Sequence, residues 1–177
     1  NIFSLKNRPQ FNPLISHVHS EEAAFRYGRC TTYAKILSKA FWPGPLTLIL
    51  KKNNLSKITP IVSNNKMDVG CRIPNNDIAL SLLSILDFPL AAPSANIATR
   101  TSVTSINDLD KDLKEIFYIN GGSSVLGLES TVIKTTNDGC NILRLGSLTI
   151  EEIKNKFPKY NIKIIHSNIS PGNQLKH

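Results

Sequence analysis

The sequence predicts one domain of mixed α/β (α+β) class, built on a mixed β-sheet with flanking helices. Its 177 residues are 41% hydrophobic, which is enough for one buried core but leaves little room for a second full domain. Short apolar runs of strand length are interspersed with segments whose apolar residues recur every three to four positions. Proline and glycine separate the two kinds of segment, so helices and strands alternate along the chain.

The first half of the chain is predicted to contain three helical and two extended segments. A helix ends over Asn1–Lys6, because the Arg8-Pro9 loop follows and the residue before a proline disfavours helix. The remaining elements are a strand over Leu14–Val18, helices over Glu21–Tyr27 and Thr31–Phe41, and a buried strand over Leu46–Leu50. The prolines at positions 43 and 45 break the chain between the last helix and the last strand.

The second half is predicted from the same signals. Pro74 ends a strand over Val69–Ile73, and an apolar stripe predicts the helix Asp77–Leu86. Asn137-Asp138-Gly139 is a strong hairpin turn signal. The remaining elements are a strand over Pro89–Ala92, a helix over Ile106–Leu113, a strand over Ile116–Ile119, paired strands over Thr131–Thr135 and Asn141–Leu145, and a helix over Ile150–Phe157. The polar residues beyond Ser167 predict a linker.

Charge and cysteine content narrow the functional class. The net charge of +8 and pI near 9.5 are compatible with a polyanionic partner, although a biased composition explains them equally well. Cys30, Cys71 and Cys140 form no C-x-x-C pair, so neither a disulfide framework nor a zinc site is predicted. No apolar run is long enough to span a bilayer. We therefore expect a cytoplasmic protein without a membrane segment or a structural metal.

Four polar segments follow apolar runs, at the positions where α/β folds hold ligands. Lys6 and Arg8 lie in a proline-rich loop and suit a polyphosphate, Arg8 as a bidentate fork and Lys6 as a point charge; a solvated basic loop is the alternative. Arg72 lies in an apolar strand, where either a carboxylate ligand or an internal salt bridge would neutralise it. Two more such segments are 91–96 and 127–132. No Walker A, G-x-G-x-x-G or G-x-S-x-G motif is present.

The order and spacing of these segments resemble one family, the YrdC-type threonylcarbamoyl-adenylate synthases. The resemblance covers residues 1–150 and depends on motifs that occur in the family's order. They are Lys6-x-Arg8-Pro9-x-x-Asn12-Pro13-Leu14-Ile15-x-His17, Phe41-Trp42-Pro43-Gly44-Pro45-Leu46-Thr47, Arg72-Ile73-Pro74, Ala92-Pro93-Ser94-Ala95-Asn96, Gly121-Gly122, Glu129-Ser130-Thr131-Val132 and Leu143-Arg144. Asn7 departs from the family, which usually has glycine at this position.

The resemblance implies a YrdC-like fold, an open twisted mixed sheet with a concave basic face. It implies a catalytic domain over residues 1–166 and, over residues 167–177, the start of a linker to a further C-terminal domain. The family also has a Thr-Glu-Thr-Val-Tyr-Gly-Leu-type segment upstream of the Lys-x-Arg motif, so we expect the domain to be incomplete at its N-terminus and the isolated chain to be inactive or poorly folded.

The implied reaction makes threonylcarbamoyl-AMP and pyrophosphate from ATP, L-threonine and bicarbonate, with Mg²⁺ on the ATP. The product serves the N6-threonylcarbamoyladenosine modification of tRNA position 37. Implied partners are therefore the downstream tRNA-modifying enzymes, with tRNA itself a further candidate through double-stranded RNA binding.

The resemblance also assigns roles to individual residues. Lys6 and Arg8 would be catalytic, at the ATP phosphates. The ATP-binding residues would be Arg8, Asn12, Ser94, Ser102 and Arg144, and the threonine-binding residues His17, Arg72, Ala92 (through its backbone) and Ser130. No protein metal site is implied.

Two other functions remain open at this level. The carbamoyl-transfer proteins of hydrogenase maturation contain a YrdC-like module, although their cysteine repeats are missing here. A non-catalytic RNA-binding module would use the basic charge, yet the one Trp and four Tyr offer few stacking platforms.

Overall fold

The computed structural model describes residues 2–54, 56–98, 100–113, 117–124, 127–159 and 162–164. These residues form a seven-stranded sheet in the order β4-β1-β3-β2-β5-β6-β7. The strands are β1 (Ile15–His17), β2 (Leu46–Lys51), β3 (Asp68–Arg72), β4 (Leu90–Ala91), β5 (Thr131–Thr135), β6 (Cys140–Arg144) and β7 (Ile162–Ile164). The predicted α/β class with a mixed sheet is confirmed. The predicted linker 167–177 lies outside the described residues.

Strand β2 is the middle of the sheet and joins its two halves. It pairs antiparallel with β3, with Leu48 opposite Cys71, and parallel with β5, with Leu48 opposite Ile133. On one side β3 pairs parallel with β1, and β1 antiparallel with β4. On the other side β5 and β6 form the predicted hairpin, and β6 pairs parallel with β7. The pairing of β2 therefore fixes how β1 and β3 lie relative to β5 and β6.

Six helices flank the sheet in the described part of the chain. They are α1 (Ile2–Leu5), α2 (Glu21–Tyr27), α3 (Thr32–Phe41), α4 (Pro60–Ser63), α5 (Asp77–Ser84) and α6 (Ile150–Lys156). Side-chain caps start four of them: Ser20, Thr31, Asn76 and Thr149 each accept a hydrogen bond from a backbone N–H in the first turn. None of the described helices has the length and hydropathy needed to cross a membrane.

The core packs against the central strands. Leu46, Leu48 and Leu50 alternate along β2, so their side chains share one face of the sheet; all three are completely buried, and Ile133 on β5 is buried beside Leu48. Thr47, on the other face of β2, is also completely buried, so both faces of this strand are covered at its start. The sheet is therefore a rigid platform for the polar residues at its strand ends.

Two predicted elements differ from the structure. Residues 106–113 form two short 3₁₀ turns, Ile106–Asp108 and Lys111–Leu113, instead of one helix. The side chain of Asp108 accepts a hydrogen bond from Ser105 Oγ at 2.9 Å, and such local contacts compete with helical ones. The predicted strand Ile116–Ile119 is wrong over residues 117–119, which are exposed and unpaired, while Ile116 lies outside the described residues. Helix α4 and strand β7 were not predicted.

The packing of β5 predicts that isoleucine-to-alanine substitutions at two positions differ strongly in their effect on stability. Ile133→Ala removes a fully buried side chain, and we expect it to lower the free energy of unfolding by about 2–5 kcal/mol. Ile85→Ala, at a residue that is 79% exposed, should change it by less than about 0.5 kcal/mol. Urea denaturation followed by circular dichroism measures both. Equal effects would contradict the assignment of Ile133 to the core.

Candidate active site

One cavity of about 460 Å³ lies against β1, β3, β4 and the residues that precede β5. Eight of the ten residues predicted to bind substrates line it: Arg8, His17, Arg72, Ala92, Ser94, Ser102, Ser130 and Arg144. Lys6 and Asn12 are not among the lining residues. The cavity therefore collects residues that are up to 136 positions apart in the sequence, from Arg8 to Arg144.

Strand register places these residues side by side. His17 ends β1 directly opposite Arg72, which ends β3. Arg144 ends β6 opposite Val132, and Ser130 immediately precedes β5. Although β2 separates β3 from β5, the two arginines approach closely enough for the charge of Arg144 to lower the pKa of Arg72. Burial is the larger cause of that lowered pKa.

Arg72 is a partly buried cation held by a backbone carbonyl. Its Nε donates to the carbonyl oxygen of Gly44 at 3.0 Å. It forms no ion pair with any carboxylate among the described residues. The internal salt bridge that the sequence left open is therefore not present in the described part of the chain. A guanidinium in this setting is ready to bind an anionic ligand.

Arg144 is held by the segment that precedes β5. It forms an ion pair with Glu129, and its Nη2 donates to the Ser130 carbonyl oxygen at 2.8 Å and to Ser130 Oγ at 3.2 Å. Burial lowers the pKa of Arg144, while Glu129 opposes that shift. Ser130 Oγ also lies 2.8 Å from Oγ1 of Thr47, a fully buried residue of β2. The Ser130 hydroxyl is therefore fixed from two sides.

Lys6 lies behind the cavity wall. Its side chain is buried, and its Nζ donates to the carbonyl oxygen of Ser94 at 2.6 Å and to the carbonyl oxygen of Asn96. Ser94 Oγ in turn donates to Asn96 Oδ1 at 2.6 Å. Burial, followed by repulsion from Arg8, lowers the pKa of Lys6 to about 8. In this structure Lys6 orders the segment that contains Ser94.

The loop after α1 directs Arg8 into the cavity. Nη2 of Arg8 donates to the carbonyl oxygen of Pro13 at 3.0 Å, and Nε donates to that of Asn12 at 3.3 Å. Oδ1 of Asn12 is buried and has no hydrogen-bond partner among the described residues. Asn7, where the resembled family usually has glycine, adopts a φ of 50°, a left-handed conformation that asparagine tolerates better than most residues. The loop thus keeps a glycine-like turn.

His17 is neutral and half-buried at the cavity wall. Burial, together with the charge of Arg72, lowers its pKa to about 4, and the backbone of Ile15 and Leu90 offsets only part of this shift. Its Nδ1 has no partner at hydrogen-bond geometry among the described residues. A neutral imidazole with an unsatisfied nitrogen is suited to a direct contact with a ligand.

The cavity combines cations with an apolar wall. Its apolar side is formed by Pro74, Ala79, Leu82, Leu83, Leu90 and Val103. Glu129 is at its rim, and its charge acts on Lys6, Arg8 and Arg144. No group of three or more His, Cys, Asp or Glu residues that could hold a metal ion occurs among the described residues. The arrangement favours organic anions over a protein-bound metal.

Sequence reasoning assigned no role to Gly44, Thr47 or Glu129. All three contact predicted site residues in the structure. Gly44 and Thr47 belong to the Phe-Trp-Pro-Gly-Pro-Leu-Thr motif, and Glu129 belongs to the Glu-Ser-Thr-Val motif. Membership of these unusual motifs is the sequence feature that could have indicated a role for all three residues.

Comparison with known proteins gives one family. The Sua5/YciO/YrdC family model, described as "Telomere recombination", matches residues 1–146. A threonylcarbamoyl-AMP synthase of Pyrococcus abyssi is 38% identical over 99% of the chain and 54% of its own length. One of Schizosaccharomyces pombe is 37% identical over 86% of the chain and 43% of its own length. The crystal structure of P. abyssi Sua5 complexed with L-threonine superposes with a TM-score of 0.83 at 36% identity, covering 99% of this chain and 54% of that one. The chain thus spans about half the length of these relatives.

The lowered pKa of His17 predicts a pH-dependent stability. Between pH 6.5 and about 4 the unfolded chain binds a proton that the folded chain does not, so stability falls as the pH falls. We expect this residue alone to cost about 2 kcal/mol of unfolding free energy between pH 7 and pH 5. Urea denaturation of the wild type and of His17→Asn at both pH values isolates this effect, because the other titrating groups contribute equally to both proteins and cancel in the difference. An identical pH dependence in the two proteins would contradict a buried neutral His17.

Proposed function

The chain belongs to the Sua5/YciO/YrdC family, and we propose that it carries the catalytic site of a threonylcarbamoyl-AMP synthase, which makes threonylcarbamoyl-AMP and pyrophosphate from ATP, L-threonine and bicarbonate. The observation that carries the proposal is the single cavity that gathers eight of the ten substrate-binding residues expected for such an enzyme. The names of the relatives and the threonine complex of P. abyssi Sua5 support it.

Arg72 is the proposed ligand of the threonine carboxylate. Its only described hydrogen bond uses Nε, so the two terminal nitrogens would form the bidentate contact that carboxylates prefer. His17 lies opposite Arg72 and would contact the same amino acid as a neutral imidazole. The backbone N–H of Ala92 donates to Ile15 at 3.2 Å, so Ala92 would contribute its carbonyl oxygen to the substrate amine.

The triphosphate would bind near Arg8 and Arg144, next to the proposed threonine ligand Ser130, to which Arg144 donates. Ser94 and Ser102 line the same cavity and would donate short hydrogen bonds to the nucleotide. The resemblance places Lys6 at the ATP phosphates. In the structure its ammonium group donates to the Ser94 carbonyl oxygen, so Lys6 would order the Ser94 segment rather than contact the phosphates directly. With a pKa of about 8 it is still mostly protonated at neutral pH and adds its charge to the site. Asn12 stays a predicted ligand, with its buried Oδ1 lacking a described partner.

The chemistry needs no protein nucleophile. The threonine amine attacks bicarbonate, water leaves, and a carboxylate oxygen of the resulting carbamate attacks the α-phosphorus of ATP as pyrophosphate departs. Burial raises the pKa of Cys71 to about 12 and that of Cys140 to about 11, so both thiols stay protonated, and no cysteine lines the described cavity. Positioning of the reactants and stabilisation of the charge on pyrophosphate by Arg8 and Arg144 would provide the catalysis.

Mg²⁺ is proposed to arrive with the nucleotide. The ion is held in many nucleotide sites by phosphates, water and one or two carboxylates, which agrees with the single carboxylate, Glu129, at the described cavity. When bound, it would supply positive charge to the phosphate oxygens. Glu129 is the residue of this chain that could reach it, after release from Arg144.

The product would pass to enzymes that transfer the threonylcarbamoyl group to tRNA. This part of the proposal depends on the chemistry of the product, a mixed anhydride that reacts readily with an amine. Contact of the chain with tRNA itself is a proposal based on the net charge of +8.

The decisive experiment tests synthesis directly. The chain, alone and joined to the upstream segment expected for the family, is incubated with ATP, bicarbonate, Mg²⁺ and labelled L-threonine, and the labelled adenylate is separated by chromatography. We expect threonine-dependent pyrophosphate release and a labelled adenylate. AMP formation that depends on carbamoyl phosphate would instead favour the hydrogenase-maturation function, and RNA binding without any product would favour a binding module.

Two arginine variants should separate the substrates. Arg72→Ala should raise the KM for threonine about 10- to 100-fold, because it removes a buried charged hydrogen-bonding partner of the carboxylate. Arg8→Ala should raise the KM for ATP by a similar factor. Steady-state kinetics with each substrate varied in turn measures both, and thermal melting serves as the control for folding. If Arg72→Ala mainly unfolds the chain or affects ATP alone, Arg72 is a structural residue.

A further inference from the structure

The Phe41–Thr47 segment supports the cavity from behind. None of its side chains is among the residues that line the cavity. It nevertheless contacts two of the proposed threonine ligands, Arg72 through the Gly44 carbonyl oxygen and Ser130 through the Thr47 hydroxyl. Thr47 is completely buried in β2, next to β5 and opposite Val132. Burying a hydroxyl group costs free energy unless the group forms a hydrogen bond. The hydrogen-bond partner of the Thr47 hydroxyl therefore indicates what this residue does.

Hydrogen-bond accounting gives the direction of the contact between Thr47 and Ser130. A serine hydroxyl has two acceptor lone pairs and one proton. Nη2 of Arg144 donates to Ser130 Oγ at 3.2 Å and uses one lone pair. The 2.8 Å distance alone allows either hydroxyl to donate. If Ser130 donated, the proton left over would belong to Thr47, which is completely buried, does not line the cavity and has no other acceptor among the described residues. If Thr47 donates, the proton left over belongs to Ser130, which lines the cavity and can meet a ligand there. Because a buried donor that no ligand can reach is unfavourable, Thr47 donates and Ser130 accepts.

Both lone pairs of Ser130 Oγ are then occupied. Arg144 fills one and Thr47 the other, and only the proton of Ser130 remains for a ligand. Ser130 lines the cavity, so a ligand there can accept this proton. A hydroxyl in this state can donate to an oxygen but cannot accept from an ammonium group.

We propose that Thr47 is a positioning residue for amino-acid binding: by donating to Ser130 it fixes the Ser130 hydroxyl as a hydrogen-bond donor to a carboxylate oxygen of the substrate. This inference rests on the proposed function, in which Ser130 and Arg72 bind threonine. Together the two residues define a site that accepts only the carboxylate end of the amino acid. The amine is thereby left on the other side, where bicarbonate and the nucleotide must meet it.

Thr47→Val tests the inference, since it removes the hydroxyl at nearly constant volume. We expect the Kd for L-threonine, measured by isothermal titration calorimetry, to rise about 5- to 10-fold, with the KM for threonine rising in parallel and the KM for ATP changing less than about twofold. Thr47→Ser restores the hydroxyl and should restore threonine affinity. Thr47→Ala is a second variant without the hydroxyl, for the case that valine disturbs folding.

Two controls exclude a general structural effect. Thr135→Val removes another buried threonine hydroxyl of the same sheet, one without a partner among the described residues, and should leave threonine binding unchanged. In a Ser130→Ala background, Thr47→Val should cause no further loss, because Thr47 acts through Ser130.

The outcomes separate this inference from the proposed function. If the wild type makes the adenylate and Thr47→Val binds threonine equally well, or loses as much affinity in the Ser130→Ala background, Thr47 is not a positioning residue. If the wild type neither binds threonine nor makes the adenylate, the proposed function itself has failed.

Discussion

Desolvated positive charge is the constraint on which this site depends. Arg72 and Arg144 are partly buried, repel each other, and share one cavity with Arg8, while Lys6 lies directly behind its wall. Glu129 is the one carboxylate among the described lining residues and pairs with Arg144, while backbone carbonyl oxygens accept hydrogen bonds from all three arginines: Gly44 from Arg72, Ser130 from Arg144, and Pro13 from Arg8. Partial charges of this kind neutralise less than a full negative charge would. The site therefore retains an excess of positive charge that an anionic ligand can satisfy.

The same constraint explains the position of Glu129. It lies at the rim, is 42% exposed in its side chain, and pairs with Arg144. A carboxylate that is partly in water is released at smaller cost than a buried one. Glu129 can therefore give way to an anionic ligand at Arg144 without leaving a buried carboxylate behind. The ion pair thus stabilises Arg144 and leaves its guanidinium available to an anion.

The motifs of the site could be read from the sequence, and through their resemblance to the family His17, Arg72 and Ser130 were predicted as threonine ligands; the structure brings all three to one cavity. From the residues alone, Arg72 indicated either a carboxylate ligand or an internal salt bridge. The contact of Thr47 with Ser130 could not be predicted, because it depends on the register that sets β2 beside β5, and register is not visible in one sequence. The two 3₁₀ turns at 106–113 were missed for a local reason, the competition of aspartate side chains for turn hydrogen bonds. At Asn7, where the family usually has glycine, the left-handed conformation is kept.

The central place of β2 has a consequence for how the cavity wall forms during folding. Gly44 reaches a residue 28 positions away, and Thr47 a residue 83 positions away, on strands that flank β2 on opposite sides. The ordering of this cavity wall is therefore coupled to the completion of the central sheet. A chain in which β2 has paired with only one of its two neighbours lacks either the Gly44–Arg72 or the Thr47–Ser130 contact.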